Sequence, residues 1–398
     1  MDRKNGPKSP TRDSVIRSRL SDDLAVVRDR GLHKLRRTAN TAPLYYPSRN
    51  PVGRQLRVVS ALDYANGKSS VEHREVFPSR LIARGTDEPI EVPALLAFAV
   101  TPGQYLTDGS LFRGVVTGDG SLLREVSADH RSRAEDWRSF RHLQRFPRVV
   151  QTGSAVSLLT GAGGAENFGH WLYDVLPRLH LIERAGLGRD GDRYLVPPID
   201  REFKRTSLRL LGIEREDCIE VGGPVLVDAE RLVVSGGHRN HGRIEPWIPR
   251  FLREKFLGQP AQGGRRLYIN RRDTKIRRIM NEPALESMLA ARGFESVSMS
   301  DYDFAAKVDL YSSAQIIIAA HGSGLAGLAF CEPGTKVIEL TGGSWYNPWF
   351  EDIAAGVDLD YHAVPAVSTI SSRLLPTIVR HIRVDIDRVM SAVDALRL

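Results

Sequence analysis

The stretch QIIIAAHGSGLAGLAFCEPGTKVIEL, residues 315–340, decides the fold of this chain. The apolar run at residues 316–318 is typical of a strand buried on both faces of a parallel sheet. The HGSG turn that follows (residues 321–324) leads into apolar residues at helical spacing, so a short helix is expected there. Residues 336–340, KVIEL, read as a second strand. The stretch therefore predicts a strand–turn–helix–strand unit of an α/β domain.

The HGSG turn carries residue types that suit an anion. Gly322 and Gly324 can bring bare backbone N–H groups close to a ligand. A helix that begins after a buried strand attracts anions, because its first N–H groups lack partners and its dipole is positive there. His321 and Ser323 lie in the same turn, and Glu339 ends the next strand, where a carboxylate can bind a ribose diol. The alternative is a packing turn that binds no ligand.

Length and composition limit the class of protein. A chain of 398 residues predicts two or three domains. No window approaches the ~18 apolar residues of a membrane span. The N-terminus lacks the apolar core of a secretory signal. With only two cysteines, Cys218 and Cys331, the chain fits a reducing compartment, so a cytoplasmic protein is expected.

The positive charge is concentrated at the N-terminus. The net charge is +8, whereas the first 60 residues alone carry +9 and the remainder −1. Residues 1–55 are polar and basic, which predicts a flexible arm because little apolar surface offsets chain entropy. Such an arm can contact the anionic inner face of a membrane, and binding to nucleic acid is the alternative. The near-neutral remainder argues against a specific nucleic-acid partner.

A second candidate site lies in the block NFGHWLYDVLPRL, residues 167–179. Its apolar residues have the spacing of a buried helix face, and Pro177 predicts a bend or a restart of that helix. His170 and Asp174 are four residues apart and share one face. A histidine–carboxylate pair of this kind suits proton transfer. The alternative is that both residues only brace the preceding glycine-rich loop.

A basic loop follows the predicted strand at residues 266–270. Its cations are Arg271, Arg272, Lys275, Arg277 and Arg278. The loop and the HGSG turn both follow strands of one predicted parallel sheet, so both lie at its carboxyl edge. Two such features can hold a diphosphate from both sides. The alternative is a solvated basic loop.

Three blocks together resemble the family-61 glycosyltransferases, a family once labelled a domain of unknown function and often described as capsular polysaccharide biosynthesis proteins. The blocks are NFGHWLYDVLPRL (167–179), LYINRRDTKIRRIMNE (267–282) and IIIAAHGSGLAGLAFCEPGTKVIEL (316–340). The resemblance covers roughly residues 90–345. It departs from the family at Ala306 and Lys307, where a Glu-Gln pair is usual, and at Ser323, where alanine is common.

The resemblance implies a GT-B fold, in which two Rossmann-like α/β domains face a cleft. It also implies inverting sugar transfer without an essential metal or a cofactor, mostly from UDP-sugars such as UDP-N-acetylglucosamine or UDP-xylose. The acceptor would be a glycan or polysaccharide, as in capsule synthesis. A non-catalytic nucleotide-sugar-binding module and a nucleic-acid-binding protein are the alternatives.

Roles follow for the candidate residues. The expected donor-binding residues are Arg271, Arg272, Lys275, Arg277, His321, Gly322, Ser323, Gly324 and Glu339. The expected catalytic base is His170 or Asp174, and the choice between them stays open. Asn167 and Trp171 are expected on the acceptor side.

The sequence predicts four segments of the chain. Residues 1–55 form the arm, and residues 56–240 form an acceptor-side α/β domain that begins with a β-rich section. Residues 241–375 form the nucleotide-sugar domain, and residues 376–398 a C-terminal helix.

Three further motifs are rejected as sites. Asp301 and Asp303 form a D-x-D pattern like that with which many sugar transferases hold a metal, but they lie at a predicted helix start, where aspartate caps. His238 and His241 are too few for a zinc site. A G-x-S-x-G nucleophile elbow around Ser323 would need glycine in place of His321 and Leu325, and neither fits. No metal site is therefore predicted.

Overall fold

The computed structural model describes residues 57–65, 67–84, 87–109, 112–129, 147–160, 166–238, 242–259, 263–342, 347–368 and 381–396. The chain divides into two units, Met1–Tyr45 and Tyr46–Leu398, and every described residue belongs to the second. The predicted arm at 1–55 lies outside the described residues. Among the helices of the described ranges, none combines the length and apolar character needed to span a bilayer.

Strands and helices alternate through most of the described chain, which confirms the predicted α/β class. The strands are β1 (Arg57–Val59), β2 (Ser70–Phe77), β3 (Arg80–Arg84), β4 (Asp87–Val92), β5 (Leu95–Thr101), β6 (Gly103–Thr107), β7 (Phe112–Thr117), β8 (Ser121–Leu123), β9 (Ala128–Asp129), β10 (Arg148–Ser157), β11 (Arg193–Val196), β12 (Cys218–Glu220), β13 (Val225–Ser235), β14 (Arg265–Ile269), β15 (Glu295–Val297), β16 (Ala314–Ala320), β17 (Lys336–Gly342), β18 (Asp360–Ser368) and β19 (Ile382–Arg383).

The helices are α1 (Phe168–His170), α2 (Leu176–Arg184), α3 (Glu202–Leu210), α4 (Trp247–Phe256), α5 (Glu282–Ala290), α6 (Phe304–Ser312), α7 (Trp349–Gly356) and α8 (Ile386–Ala395). A π-helical turn, Trp171–Val175, joins α1 to α2. The helix predicted after the HGSG turn is present, and it has 3₁₀ winding over Ser323–Phe330.

The first sheet has a parallel part and an antiparallel part. Strands β12, β11, β10 and β13 are parallel neighbours in that order, which is 3-2-1-4 in chain order. Strands β5 and β6 pair antiparallel with β13 and extend the sheet toward β7 and β8. The strand order reverses between β10 and β13. In open α/β sheets, ligands bind outside the carboxyl ends of the strands at such a reversal.

The second sheet has the order β15-β14-β16-β17-β18-β19. Its first five strands are parallel, and β19 is antiparallel to β18. In chain order the parallel strands run 2-1-3-4-5, so the order reverses between β14 and β16. The basic loop follows β14 and the HGSG turn follows β16. Both therefore lie at the crevice where this kind of sheet binds ligands.

One apolar core is shared by both sheets. It contains Val156 and Val233 from the first sheet, Ile317 and Val337 from the second, and Phe251 of α4 between them. A separate cluster covers the other face of the second sheet, beneath α5 and α8. The described strands of the two sheets lie within residues 57–235 and 265–383. The predicted domain boundary between residues 240 and 241 stays a prediction.

Candidate active site

The helix that carries His170 begins at an asparagine cap. The Oδ1 atom of Asn167 accepts hydrogen bonds from the backbone N–H groups of Gly169 at 2.8 Å and His170 at 3.3 Å. Asparagine is among the best N-caps, because its side chain satisfies N–H groups that the first turn leaves without partners. The cap fixes where the helix starts and therefore where His170 lies.

Pro177 changes the winding of this helix. It has no N–H group, so the carbonyl of Tyr173, four residues earlier, loses its helical donor. The Nε2 atom of His238 lies 2.8 Å from that carbonyl oxygen and, because a carbonyl only accepts, Nε2 must carry the proton. The π turn lies just before, and α2 restarts with Pro177 in its first turn. The irregularity predicted at Pro177 is present as this change of winding within one helical run. π turns recur at functional sites.

His170 and Asp174 form a pair within this segment. The Nδ1 atom of His170 lies 2.5 Å from Oδ2 of Asp174. Nδ1–H donates to the carboxylate, which leaves the lone pair of a neutral ring on Nε2. The imidazole also meets the Trp349 ring edge-on, with centroids 5.5 Å apart and an interplanar angle of 88°. These contacts orient the ring so that Nε2 can accept a proton.

His321 of the HGSG turn has its own carboxylate. Its Nδ1 bonds Oε1 of Glu339, while Oε2 of Glu339 accepts a 2.6 Å hydrogen bond from the hydroxyl of Tyr361. Glu339 is only 1 % exposed. Both its oxygens accept bonds within the protein, so Glu339 lies behind His321 and not at the surface where a ribose would bind. The ring of Phe350 packs against His321 at 4.9 Å between centroids.

Arg271 follows β14, and its side chain adjoins the HGSG turn, which follows the neighbouring strand β16. Its side chain is 7 % exposed, and its Nη2 donates to the carbonyl of Ile276 at 3.0 Å. Its Nε finds no acceptor within the described ranges, and burial lowers the pKa of the guanidinium. A Cβ added to Gly322 would collide with Nη1 of Arg271. Glycine is favoured here because its φ of 155° is one that L side chains rarely adopt, and because the guanidinium lies against the backbone of the turn.

The other cations of the basic loop differ from Arg271 in exposure, ion pairing or backbone conformation. Arg272 is exposed and pairs with Glu286 of α5, so its charge is already compensated. Arg277 has a left-handed backbone with φ of 53°, which is uncommon for a residue other than glycine and recurs at functional sites. Lys275 is exposed. Of the predicted donor-side cations, Arg271 lies directly against the HGSG turn.

The two candidate sites adjoin each other. The Oγ of Ser323 donates to Oδ1 of Asn167 at 3.0 Å, and the hydroxyl of Tyr173 donates to the carbonyl of Ala326 at 2.8 Å. The opening of the His170 helix therefore contacts the HGSG turn directly. The two histidines thus belong to neighbouring parts of one region.

Trp171, predicted on the acceptor side, requires a correction. Its side chain is fully buried, and its indole N–H donates to Oγ of Ser207 on α3 at 2.9 Å. The ammonium of Lys204 lies 5.8 Å from the centre of its ring. Trp171 is a core residue and cannot contact an acceptor, because its indole is buried against α3.

Sequence reasoning missed three aromatic residues of the region, Trp349, Phe350 and Tyr361. Each contacts a predicted histidine or its carboxylate, but none lies in a recognisable motif. An aromatic pair at the start of α7 gives the same sequence signal as an ordinary core-facing pair.

Asp303 of the D-x-D pattern caps a helix, as predicted. Oδ1 of Asp303 accepts from the N–H of Ala306 at 2.8 Å and caps α6. Asp301 accepts a weak 3.3 Å bond from Ser300. The described residues contain no group of three or more His, Cys, Asp or Glu arranged to hold a metal ion.

Comparison with known proteins identifies this region. Residues 168–338 match the family model described as Glycosyltransferase 61. The match includes both members of the His170–Asp174 pair, Arg271 and the HGSG turn, and it ends one residue before Glu339. No curated protein matches the chain. This match over residues 168–338 supports the assignment to glycosyltransferase family 61 that the sequence predicted.

Proposed function

We propose that this glycosyltransferase is an inverting, metal-independent enzyme that moves a sugar from a UDP donor to a glycan or polysaccharide acceptor. Membership of family 61 supports glycosyl transfer in general. The donor, the stereochemistry, the independence of metal and the acceptor are parts of the proposal. So is a GT-B arrangement, in which the carboxyl edges of the two sheets face one cleft.

One observation carries the proposal. The His170–Asp174 pair and the Arg271–Gly322 contact lie at the strand-order reversals of two different sheets, and the Asn167–Ser323 bond joins them. Each reversal is a preferred ligand position in an open α/β sheet. Together they provide a proton acceptor beside a cationic, glycine-lined anion site. The proposed inverting, metal-independent transfer from a nucleotide sugar uses both.

On the donor side, the proposal assigns the diphosphate to Arg271, His321 and the backbone N–H groups of the HGSG turn. A buried guanidinium without an acceptor on Nε can form a strong charge-assisted bond to a phosphate oxygen. Such donors stabilise the negative charge that develops on the leaving group. Glu339 and Tyr361 orient His321 in this account, which replaces the ribose contact first expected of Glu339.

On the acceptor side, Nε2 of His170 takes the proton of the attacking hydroxyl. The acceptor oxygen then bonds to the anomeric carbon while the bond from that carbon to the diphosphate breaks, so the configuration inverts. Asp174 accepts the Nδ1–H bond, holds the tautomer and stabilises the imidazolium that forms. This assigns the base to His170 and the orienting role to Asp174.

The domain boundaries and the location also belong to the proposal. We assign residues 1–55 to a basic arm, 56–240 to the acceptor-side domain, 241–375 to the donor domain and 376–398 to the C-terminal helical segment. The arm's excess positive charge suits contact with the anionic inner face of a membrane from the cytoplasm.

Thermal unfolding in the presence of UDP, GDP, CMP and dTDP tests the donor assignment, because a ligand that binds the native state raises Tm. We expect UDP to raise Tm most, with or without EDTA. If none of the nucleotides shifts Tm, the donor site is misassigned. If UDP binds but no UDP-sugar is consumed with any glycan acceptor, the chain is a binding module and not an enzyme.

A further inference from the structure

Two arginines are buried in the acceptor-side sheet and its helix. Arg178 of α2 is 4 % exposed, and Arg113 of β7 is 7 % exposed. Nη1 of Arg178 donates to the carbonyl and the Oγ of Ser235, at 3.2 and 3.3 Å, and both acceptors are neutral. Within the described part of the chain, the side chain of Arg113 forms no hydrogen bond or ion pair, and Nε of each arginine is buried without an acceptor.

A tyrosine joins this pair. Thr107 lies opposite Arg113, and Tyr105 lies opposite Val115, on the neighbouring strands β6 and β7. Tyr105 and Arg113 therefore project from the same face as diagonal neighbours, a separation that long side chains can bridge. The Tyr105 hydroxyl is also buried without a partner among the described residues.

The segment that follows β8 brings the two arginines together. Arg113 lies opposite Ala128 in the pairing of β7 with β9. The carbonyl oxygen of Glu125, three residues earlier, lies 3.9 Å from the Cβ position of Gly236, the residue that follows Ser235. Arg113 therefore lies near the end of β13 that Arg178 bonds.

The two guanidiniums also interact electrostatically. Burial lowers the pKa of Arg178 to about 9, and the positive charge of Arg113 is the next largest cause. Tyr105 and Asp174 act in the opposite direction and more weakly. Asp174 is already bonded to His170. The two buried positive charges therefore repel each other, and among the described residues neither forms an ion pair with a carboxylate.

Such an arrangement costs free energy in an empty protein. Buried charges in folded proteins are paired, because desolvation of an unpaired ion is expensive and a second like charge adds repulsion. Two guanidiniums and a phenol with unused donors fit one oxyanion, since arginine N–H groups match the oxygens of a carboxylate or phosphate.

We propose that Arg113, Arg178 and Tyr105 bind a carboxylate or phosphate group on the acceptor, so that the enzyme glycosylates an acidic glycan. That the bound molecule is the acceptor rests on the proposed function. Arg178 lies one helical turn after Asp174, on the segment that carries the proposed base, whereas the proposed diphosphate contacts belong to the second sheet. An oxyanion held here lies beside the group that activates the acceptor hydroxyl.

Ligand titration of the full chain tests this site with three probes: glucuronate, inorganic phosphate and neutral glucose, at constant ionic strength. We expect at least one of the two anions to raise Tm and glucose to have no effect. Arg113→Gln should weaken that anion's binding by about tenfold or more. A response to glucuronate alone indicates a sugar acid, and a response to phosphate alone indicates a phosphorylated sugar. Arg271→Gln is the matched control: because it weakens the proposed donor site, it shows how much of a phosphate response comes from that site, and it should leave a response to glucuronate intact.

A second variant measures the cost of the empty site. Arg113→Met should raise Tm of the ligand-free protein, because it removes an unpaired buried charge, and should abolish the anion response. This measurement uses variants of Arg113 only, so it does not depend on whether a variant of Arg178 folds. A lower Tm for Arg113→Met would show that the guanidinium stabilises the fold and would contradict the proposal.

The remaining outcomes separate this inference from the donor assignment. If neither anion shifts Tm of the wild type, or Arg113→Gln binds the anion as the wild type does, no oxyanion site exists here. If Arg113→Gln weakens UDP binding instead, Arg113 and Arg178 hold the donor, and the assignment of this site to the acceptor is wrong. If UDP does not bind the wild type while the anion response depends on Arg113, the proposed function fails and the oxyanion site stands.

Discussion

The Oγ of Ser323 donates a 3.0 Å hydrogen bond to Oδ1 of Asn167, across 156 residues of sequence. The same Oδ1 atom caps the helix that carries His170. Ser323 in turn begins the 3₁₀ helix after the HGSG turn. One amide oxygen therefore couples the start of the His170 helix to the proposed diphosphate site.

Loss of this coupling is the first prediction. Asn167→Ala should lower the free energy of unfolding by about 1 kcal/mol or more, because it removes both a cap and a bond. Ser323→Ala should cost about 0.5–1.5 kcal/mol. The double variant should cost less than the sum, since both changes remove one shared bond. Urea unfolding measures all three free energies.

Ser391→Ala is the matched control, because its hydroxyl bonds only the carbonyl of Asp387 on the exposed side of α8. Its unfolding free energy should stay close to that of the wild type. Strict additivity of Asn167→Ala and Ser323→Ala would contradict the coupling.

The second prediction compares two neighbouring arginines. Arg271→Gln should weaken UDP binding about ten- to a hundredfold, because it removes a buried charge-assisted contact with the diphosphate. Arg272→Gln should change UDP affinity by less than about twofold, since Arg272 is exposed and paired with Glu286. Calorimetry with UDP measures both, after circular dichroism shows that each variant is folded. Equal affinities for the two variants would mean that the basic loop does not hold the diphosphate through Arg271.

The third prediction concerns metal. Asp303→Ala should destabilise the protein by about 1 kcal/mol through loss of the α6 cap, and Asp301→Ala by less. Neither variant should lower turnover, and EDTA should leave the turnover of the wild type unchanged. Activity that disappears in EDTA and returns with manganese would overturn the metal-free assignment.

The fourth prediction is a pH dependence of stability. His180 of α2 lies against Phe251 and Trp247, with ring centroids 4.8 and 5.4 Å away, and burial lowers its pKa. The unfolded chain therefore takes up this proton at higher pH than the folded protein, so its contribution to stability is lost as pH falls below about 6.5. His180→Phe should flatten the loss of unfolding free energy between pH 7 and 5, as measured with urea.

Glu183 provides an opposite control for that measurement. Burial raises its pKa, so its contribution is present at low pH and is lost as pH rises through the folded-state pKa. Glu183→Gln should therefore make the loss of stability on acidification steeper, not flatter. A slope that is identical in His180→Phe and the wild type would rule out His180 as the source.

Local features of the site could be predicted from the sequence. The strand and turn around His321 follow from an apolar run that ends at glycines, and the α6 start follows from Asp303 as a cap. The His170–Asp174 pair follows from a spacing of four on a helix. Each of these depends on neighbours in the chain, and each is present in the fold.

Features that depend on distant residues could not be predicted. The buried indole of Trp171 donates a hydrogen bond to Ser207, which lies 36 residues away in the chain. Oε2 of Glu339 accepts a hydrogen bond from Tyr361 in the next strand. The charge of Arg272 is compensated by Glu286, which only the packing of α5 brings near. Sheet order is likewise set by pairing between distant strands, and periodicity does not encode it.

Parallel measurement of turnover and UDP affinity in His170→Gln tests the central claim most directly. With a UDP-sugar that the wild type consumes, and EDTA present, we expect turnover to fall about 10²–10⁴-fold while UDP affinity barely changes, because a general base acts in the transition state. Asp174→Asn should show the same split with a smaller loss. Full turnover in both variants would contradict the account, since neither residue would then act on the proton of the acceptor hydroxyl.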